Sequence, residues 1–170
     1  MRAMRSRIAV FALAMSCAVA PVFAGASHVS ASDAPTPAPR AAKVVGSLTI
    51  PRLKISAQIR IGTTNAVFDA GVGQYPGSAR PGTIGNLVIG GHRTSGKKPF
   101  SRIETMRAGD PMVVTAGGRT YTYVVTKTFV VKANAMWITD PTPDAVITLF
   151  ACHPRGSVSH RYVVRGVLQG

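Results

Sequence analysis

From Val44 onward the chain is a succession of short apolar runs broken by glycine and proline. "GSLTIPRL" (46–53) and "ISAQIRIG" (55–62) are β-type runs either side of a proline-bearing bend. "GVGQYPGSARPGTIGN" (71–86) is punctuated throughout and reads as turns and irregular chain. "NLVIGGH" (86–92) is a continuous apolar run, the pattern of a strand buried on both faces. In "KKPFSRIETMRAGD" (97–110) Pro99 suits a first helical turn, Phe100, Ile103 and Met106 or Arg107 share a face, and Gly109 ends it, so a short helix is expected there. "PMVVTAGGRTYTYVVTKTFVVKA" (111–133) carries Gly117-Gly118 between β-rich halves, a hairpin signal. "AVITLFAC" (145–152) and "RYVVRGVL" (161–168) are the last two strands. About eight short strands with one or two short helices predict a mainly β protein folded as a closed or nearly closed barrel, a sandwich being the alternative.

The first 43 residues read differently. Arg2, Arg5 and Arg7 precede the apolar run "IAVFALAMSCAVAPVFA" (8–24), whose small-residue end suits cleavage after Ala24. Residues 1–24 are therefore expected to be a signal peptide or an N-terminal membrane anchor, the run being short for a span. Residues 25–43, rich in Pro, Ala and Ser, read as an extended linker. Residues 44–170 are left as one folded domain on the outer side of the membrane, anchored there or associated with the wall.

The chain has 170 residues, a formal net charge of +14 and two cysteines. Positions 1 to 40 hold four of the 20 basic and one of the six acidic residues, leaving 16 against five, a net +11, for the rest. Such a surface favours anionic partners, which outside a cell means wall polymers or lipid headgroups, hence a membrane surface. The basic residues are scattered and no nucleic-acid motif accompanies them, so no nucleic-acid partner is expected. The carboxylates are dispersed and no Cys/His ligand spacing occurs, so no metal and no cofactor is expected.

Cys17 lies in the apolar leader, which leaves Cys152 without a disulfide partner in a cleaved protein. A lone exported cysteine is a buried small hydrophobe, an intermolecular half-cystine or a reactive thiol. Its neighbours favour the last. Cys152 ends one strand and Arg161 begins the next, so antiparallel pairing returns Arg161 beside Cys152; His92 ends another strand. Thiol acyl transfer needs this trio: a nucleophile, an acid/base that accepts the thiol proton and protonates the leaving amine, and a donor to the oxyanion. Arg155 and Arg165 are alternative cations, Arg165 sharing a strand face with Arg161. His153 and His160 adjoin Cys152 and Arg161 in sequence and so point to the opposite faces of their strands. Tyr75 and Trp137 offer aromatic faces for a peptide groove.

"TLFACHP" and "RYVVRG", preceded by "GNLVIGGHRTSGKKPFSRIETMRAGDPMVV" and "YPGSARPGTIGN", resemble the sortases, specifically the class E type of high-GC Gram-positive bacteria, over residues 44–170. The resemblance implies an eight-stranded sortase-like β-barrel. It makes Cys152 the nucleophile, His92 the general acid/base and Arg161 the donor to the oxyanion and substrate backbone. It implies a cysteine transpeptidase that cuts an LPxTG- or LAxTG-like sorting signal between Thr and Gly. The acyl group then passes from a thioacyl-enzyme to a peptidoglycan precursor or cross-bridge amine. The partners implied are exported proteins with C-terminal sorting signals. Ala151 stands where the family pattern has a substrate- or oxyanion-holding threonine, which singles it out as a substrate-site position. Two other functions fit the composition: a non-catalytic basic domain that binds wall polymer, and another secreted cysteine peptidase or transpeptidase.

Overall fold

The computed structural model describes residues 42–170; the leader, Cys17, His28 and nearly all of the linker lie outside the described residues. Eight strands close into a barrel: β1 (Val44–Ile50), β2 (Ile55–Ile61), β3 (Val72–Gln74), β4 (Gly85–Gly91), β5 (Pro111–Ala116), β6 (Arg119–Lys132), β7 (Ala145–His153) and β8 (His160–Leu168). Around the barrel the order is β1-β2-β3-β4-β7-β8-β6-β5. Neighbours are antiparallel except β2–β3 and β4–β7, which are parallel and so need crossovers. The mainly β barrel expected from the strand pattern is the fold observed, and among the described residues it closes the sheet without an edge strand.

Alternation along the strands explains the core. Leu87 and Ile89 of β4, Ile147, Leu149 and Ala151 of β7, and Val164 of β8 all point inward and are essentially without solvent contact. Among the described residues Tyr123 is the largest wholly buried side chain, and its hydroxyl accepts a hydrogen bond from the Gly82 N–H at 2.9 Å. That bond gives the buried phenol the partner it needs.

The helices are not where the pattern placed them. The α-helix among the described residues is α1 (Asn65–Ala70), the crossover between β2 and β3, capped by the Thr64 hydroxyl, which accepts from the Val67 N–H. Six residues are too few to display a helical period. The segment 97–110 is instead a run of turns with a 3-10 turn at Ile103–Thr105. Phe100, Ile103 and Met106 are buried as expected, at a three-residue spacing that suits successive 3-10-type turns as well as one face of an α-helix. Left-handed backbone at Lys98 (φ 49°) keeps an α-helix from starting at the expected place. Within 71–86, read as irregular, Val72–Gln74 forms β3; three residues centred on a glycine carry no strand signature.

Candidate active site

The barrel wall at β4, β7 and β8 has an outer face on which the chemistry-bearing residues meet. Since Leu149 and Ala151 point inward, Phe150 and Cys152 point outward; since Ile89 points inward, Gly90 and His92 point outward. Across the antiparallel β7–β8 pair Cys152 stands opposite Arg161. The parity that puts Val164 in the core turns Arg161 and Arg165 outward with them. Cys152, His92 and Arg161 line one cavity of about 350 Å³, walled by Phe68, Phe150 and the β7–β8 loop at Gly156 to Val158. Cys152 is half-buried and unpaired.

Helix α1 closes this face. Phe68 sets its ring edge-on to His92, with centroids 5.5 Å apart, and edge-on to Phe150 at 6.5 Å. The fit requires Gly90, because a Cβ there would lie 2.5 Å from the Phe150 ring and 2.8 Å from the Phe68 ring. The next residue, Asp69, places Oδ1 3.3 Å from Nε2 of His92. The imidazole is thus held by an aromatic edge and a carboxylate, both from α1. The half-exposed Asp69 was not among the sequence candidates; nothing local to "NAVFDA" marks it as a partner of a histidine 23 positions later.

Arg161 donates through Nη1 to the carbonyls of Val158 and His160, each at 2.9 Å. It also lines a second, adjoining groove of about 220 Å³ with Thr63, Phe68, Tyr75, Phe150 and the β6–β7 connection. Thr63, Phe68, Phe150 and Arg161 are shared by the two cavities, so the groove continues from Cys152 past Arg161 toward Tyr75. The alternative cations have other employment. Arg165 donates from Nε to the Thr148 hydroxyl at 3.1 Å and from Nη2 to the Ile138 carbonyl at 3.2 Å. The Thr148 hydroxyl donates to Oδ1 of Asn86, whose Nδ2 donates to the Ile138 and Asp140 carbonyls. Burial pushes the Arg165 guanidinium below its ordinary value, the nearby Asp140 charge opposing it. This polar network holds the 3-10 turn Met136–Thr139 over the outer face, where it walls the second groove. Arg155 donates to the Ser101 carbonyl from the exposed loop.

The remaining candidates divide. Tyr75 lines the second groove. Ala151 borders the first cavity, but its side chain belongs to the barrel core at 1% exposure, so it faces away from Cys152. Trp137 lines neither cavity; its ring stacks on Phe129, 5.7 Å between centroids and 8° from parallel. His153 receives an Arg93 N–H at Nδ1, 2.9 Å away, on the far side of the strand from Cys152. His160 pairs through Nδ1 with the Ser159 hydroxyl. Among the described residues no three His, Cys, Asp or Glu side chains gather to hold a metal ion, and no helix is long and apolar enough to cross a membrane.

Comparison with known proteins places this geometry. The family model described as a sortase domain matches residues 48–169. Sortase A of Listeria monocytogenes serovar 1/2a is 29% identical over 127 residues, 74% of this chain and 57% of that protein. Sortase SrtE1 of Streptomyces coelicolor is 30% identical over 135 residues, 70% of this chain and 38% of that protein. The chain thus spans little more than half of the first relative and less of the second. The solved structure of sortase E from Streptomyces avermitilis superposes with a TM-score of 0.69 at 30% identity, covering 75% of this chain and 89% of that one. Sortase A from Corynebacterium diphtheriae superposes with a TM-score of 0.71 at 32% identity, covering 76% and 62%.

Proposed function

The chain belongs to the sortase family, with class E members among its relatives, and from that premise we propose that it is a cysteine transpeptidase acting on exported proteins. The observation that carries the reading is the sharing of one cavity by Cys152, His92 and Arg161 on the outer barrel face. The Cys152 sulfur, its proton taken up by His92, attacks the carbonyl carbon of the threonine in an LPxTG- or LAxTG-like signal. Arg161 donates to the oxygen as negative charge collects on it. The carbon–nitrogen bond to glycine breaks as His92 returns the proton to the departing amine, leaving a thioester on Cys152. An acceptor amine, from a peptidoglycan precursor or cross-bridge, then attacks the thioester, gives up a proton to His92, expels the Cys152 thiolate and forms the new amide.

The two cavities suggest which way the substrate lies. His92 lines only the cavity of Cys152, so the leaving amine belongs on that side. Arg161 lines both, so the acyl portion runs past it along the second groove toward Tyr75. The net +11 of residues 41–170 suits a substrate site facing anionic wall polymer or lipid. The apolar leader suits export with the domain outside the membrane.

The test is cleavage of a quenched LAxTG peptide, and an LPxTG one beside it, with an amine acceptor present. Wild type should cleave the peptide and form the amine adduct, and Cys152→Ala should do neither. Undiminished cleavage by Cys152→Ala sinks the reading. Retention on wall polymer that survives Cys152→Ala and fades with salt, without cleavage, would make the domain a binding module.

A further inference from the structure

We propose that the buried Arg93 and the partly buried His153 form a strap that fixes the position of Cys152 relative to His92, with Nδ1 of His153 serving as the hydrogen-bond acceptor. The inference rests on the reading of Cys152 and His92 as the reacting pair. The parallel β4–β7 pairing runs from Gly85 opposite Ala145 to Gly90 opposite Phe150. His92 and Cys152 each lie two residues beyond that last pair. Sheet hydrogen bonds hold Cys152 against β8 on one side, but none of the β4–β7 ladder reaches as far as the site on the other.

Arg93, which also borders the Cys152 cavity, and His153 supply the missing connection beyond the end of the ladder. Arg93 is only 4% exposed. One nitrogen, Nη1, lies 2.9 Å from Nδ1 of His153 and 3.5 Å from the carbonyl oxygen of Cys152 itself; Nη2 lies 2.7 Å from Oε2 of Glu104. A guanidinium has only N–H donors, so Nδ1 of His153 must be the acceptor and carries no proton. A buried cation is costly unless it is paired, and Glu104 supplies the charge that balances this one. Nε of Arg93 has no partner, so the guanidinium is not fully satisfied even so. What the arrangement secures is geometry. The residue after His92 grips the residue after Cys152, through a planar fork that leaves little play.

The group that accepts from Arg93 can be exchanged without touching Cys152 or His92. Oδ1 of an asparagine occupies nearly the place of Nδ1 of a histidine and accepts the same bond, but an amide does not titrate. The experiment compares wild type with His153→Leu, His153→Asn and Arg93→Lys in peptide turnover, in melting temperature and in the pH profile of Cys152 alkylation by iodoacetamide. The alkylation profile reports how closely His92 is kept to the thiol and needs no turnover; His92→Ala supplies its limit. His153→Leu is expected to lower kcat about 10-fold or more with KM within about 2-fold, the size of effect usual for lost orientation, and to move the alkylation profile toward that of His92→Ala. Arg93→Lys should do likewise, since an ammonium cannot serve Glu104 and His153 in one fork. His153→Asn should recover most of the activity and the wild-type profile. Wild-type kcat and profile in His153→Leu would overturn the proposal. So would an asparagine variant as impaired as the leucine one, or losses that follow only the folded fraction. A wild-type protein that leaves the peptide uncut removes the transpeptidase reading, while the alkylation profiles still decide the strap.

Discussion

Cys152 and Arg161 stand directly opposite each other across the antiparallel β7–β8 pair, and both side chains face out of the barrel. The guanidinium is anchored through Nη1 to the Val158 carbonyl of the connecting loop and the His160 carbonyl at the start of β8 while it lines the cavities on both sides. A rigid fork can hold those carbonyls and present further donors to an oxyanion at once; a flexible ammonium cannot. Arg161→Lys is therefore expected to lower kcat/KM of peptide cleavage by about 10²–10³-fold, the usual cost of an oxyanion donor. Turnover near the wild-type level would refute that role for Arg161.

Asp69 tests how much of the imidazole's placement comes from α1. The aspartate is half-exposed and its oxygen sits 3.3 Å from Nε2 of His92, so water screens its charge and its service is chiefly directional. Asp69→Asn keeps an acceptor oxygen and should lose less than about 3-fold in kcat/KM, while Asp69→Ala should lose about 10-fold. An equal, large loss in both variants would show that the negative charge itself is required.

The parts of this site legible in the sequence are those that depend on strand parity and short connections. Cys152 and Arg161 flank one loop, and alternation alone sets His153 and His160 on the other face. His92 follows a run too apolar to be anything but a buried strand. Asp69 and Arg93 were hidden because their partners lie 23 and 60 positions away, brought close only by the crossover helix and the parallel β4–β7 pair. The short loop after Cys152 favours Arg161, and alternation leaves Arg165 as an alternative on the same strand face; the Thr148 hydroxyl and the Ile138 carbonyl, which capture Arg165, separate the two. The segment 97–110 reads as a helix in sequence because Phe100, Ile103 and Met106 fit one face of an α-helix as well as a three-residue period.

Ala151 illustrates how a departure from a family pattern changes meaning once the face is known. Its side chain is wholly enclosed in the barrel core, with Tyr162 opposite it on β8. Ala151→Thr adds a methyl and a hydroxyl to a filled apolar space. It is expected to destabilise the domain by about 1–3 kcal/mol. Urea unfolding should show a lower midpoint with an unchanged slope. An unchanged midpoint would mean that the core has room and a partner for the hydroxyl.

Acid should loosen the barrel at one identifiable place. Asp110, just before β5, accepts from the Arg52 side chain, in the 3-10 turn after β1, and from the Arg107 backbone N–H. Burial alone would raise its carboxyl. The Arg52 and Arg107 hydrogen bonds, with the charges of both arginines, outweigh burial and hold it below the usual carboxylate value. A carboxyl depressed in the folded state contributes stability that is whole above its unfolded value of about 3.9 and is lost as pH falls through the lower folded value. Asp110→Asn should therefore cost stability at neutral pH and flatten the decline below about pH 4 in melting temperature against pH. A parallel decline in the two proteins would assign the acid sensitivity elsewhere.

Arg165 provides the converse of the first test, because it sits on the same strand face as Arg161 and does different work. Its two donations, to the Thr148 hydroxyl and the Ile138 carbonyl, fasten the turn that walls the second groove. Arg165→Met keeps much of the aliphatic bulk and removes both bonds, leaving Asn86 alone on the Ile138 carbonyl. The groove wall then loosens while Cys152, His92 and Arg161 keep their places. The expected result is KM raised about 3- to 10-fold with kcat nearly unchanged, since binding shared by ground state and transition state is what is lost. A fall in kcat matching that of Arg161→Lys, with KM unmoved, would instead make Arg165 the donor to the oxyanion and return Arg161 to a loop anchor.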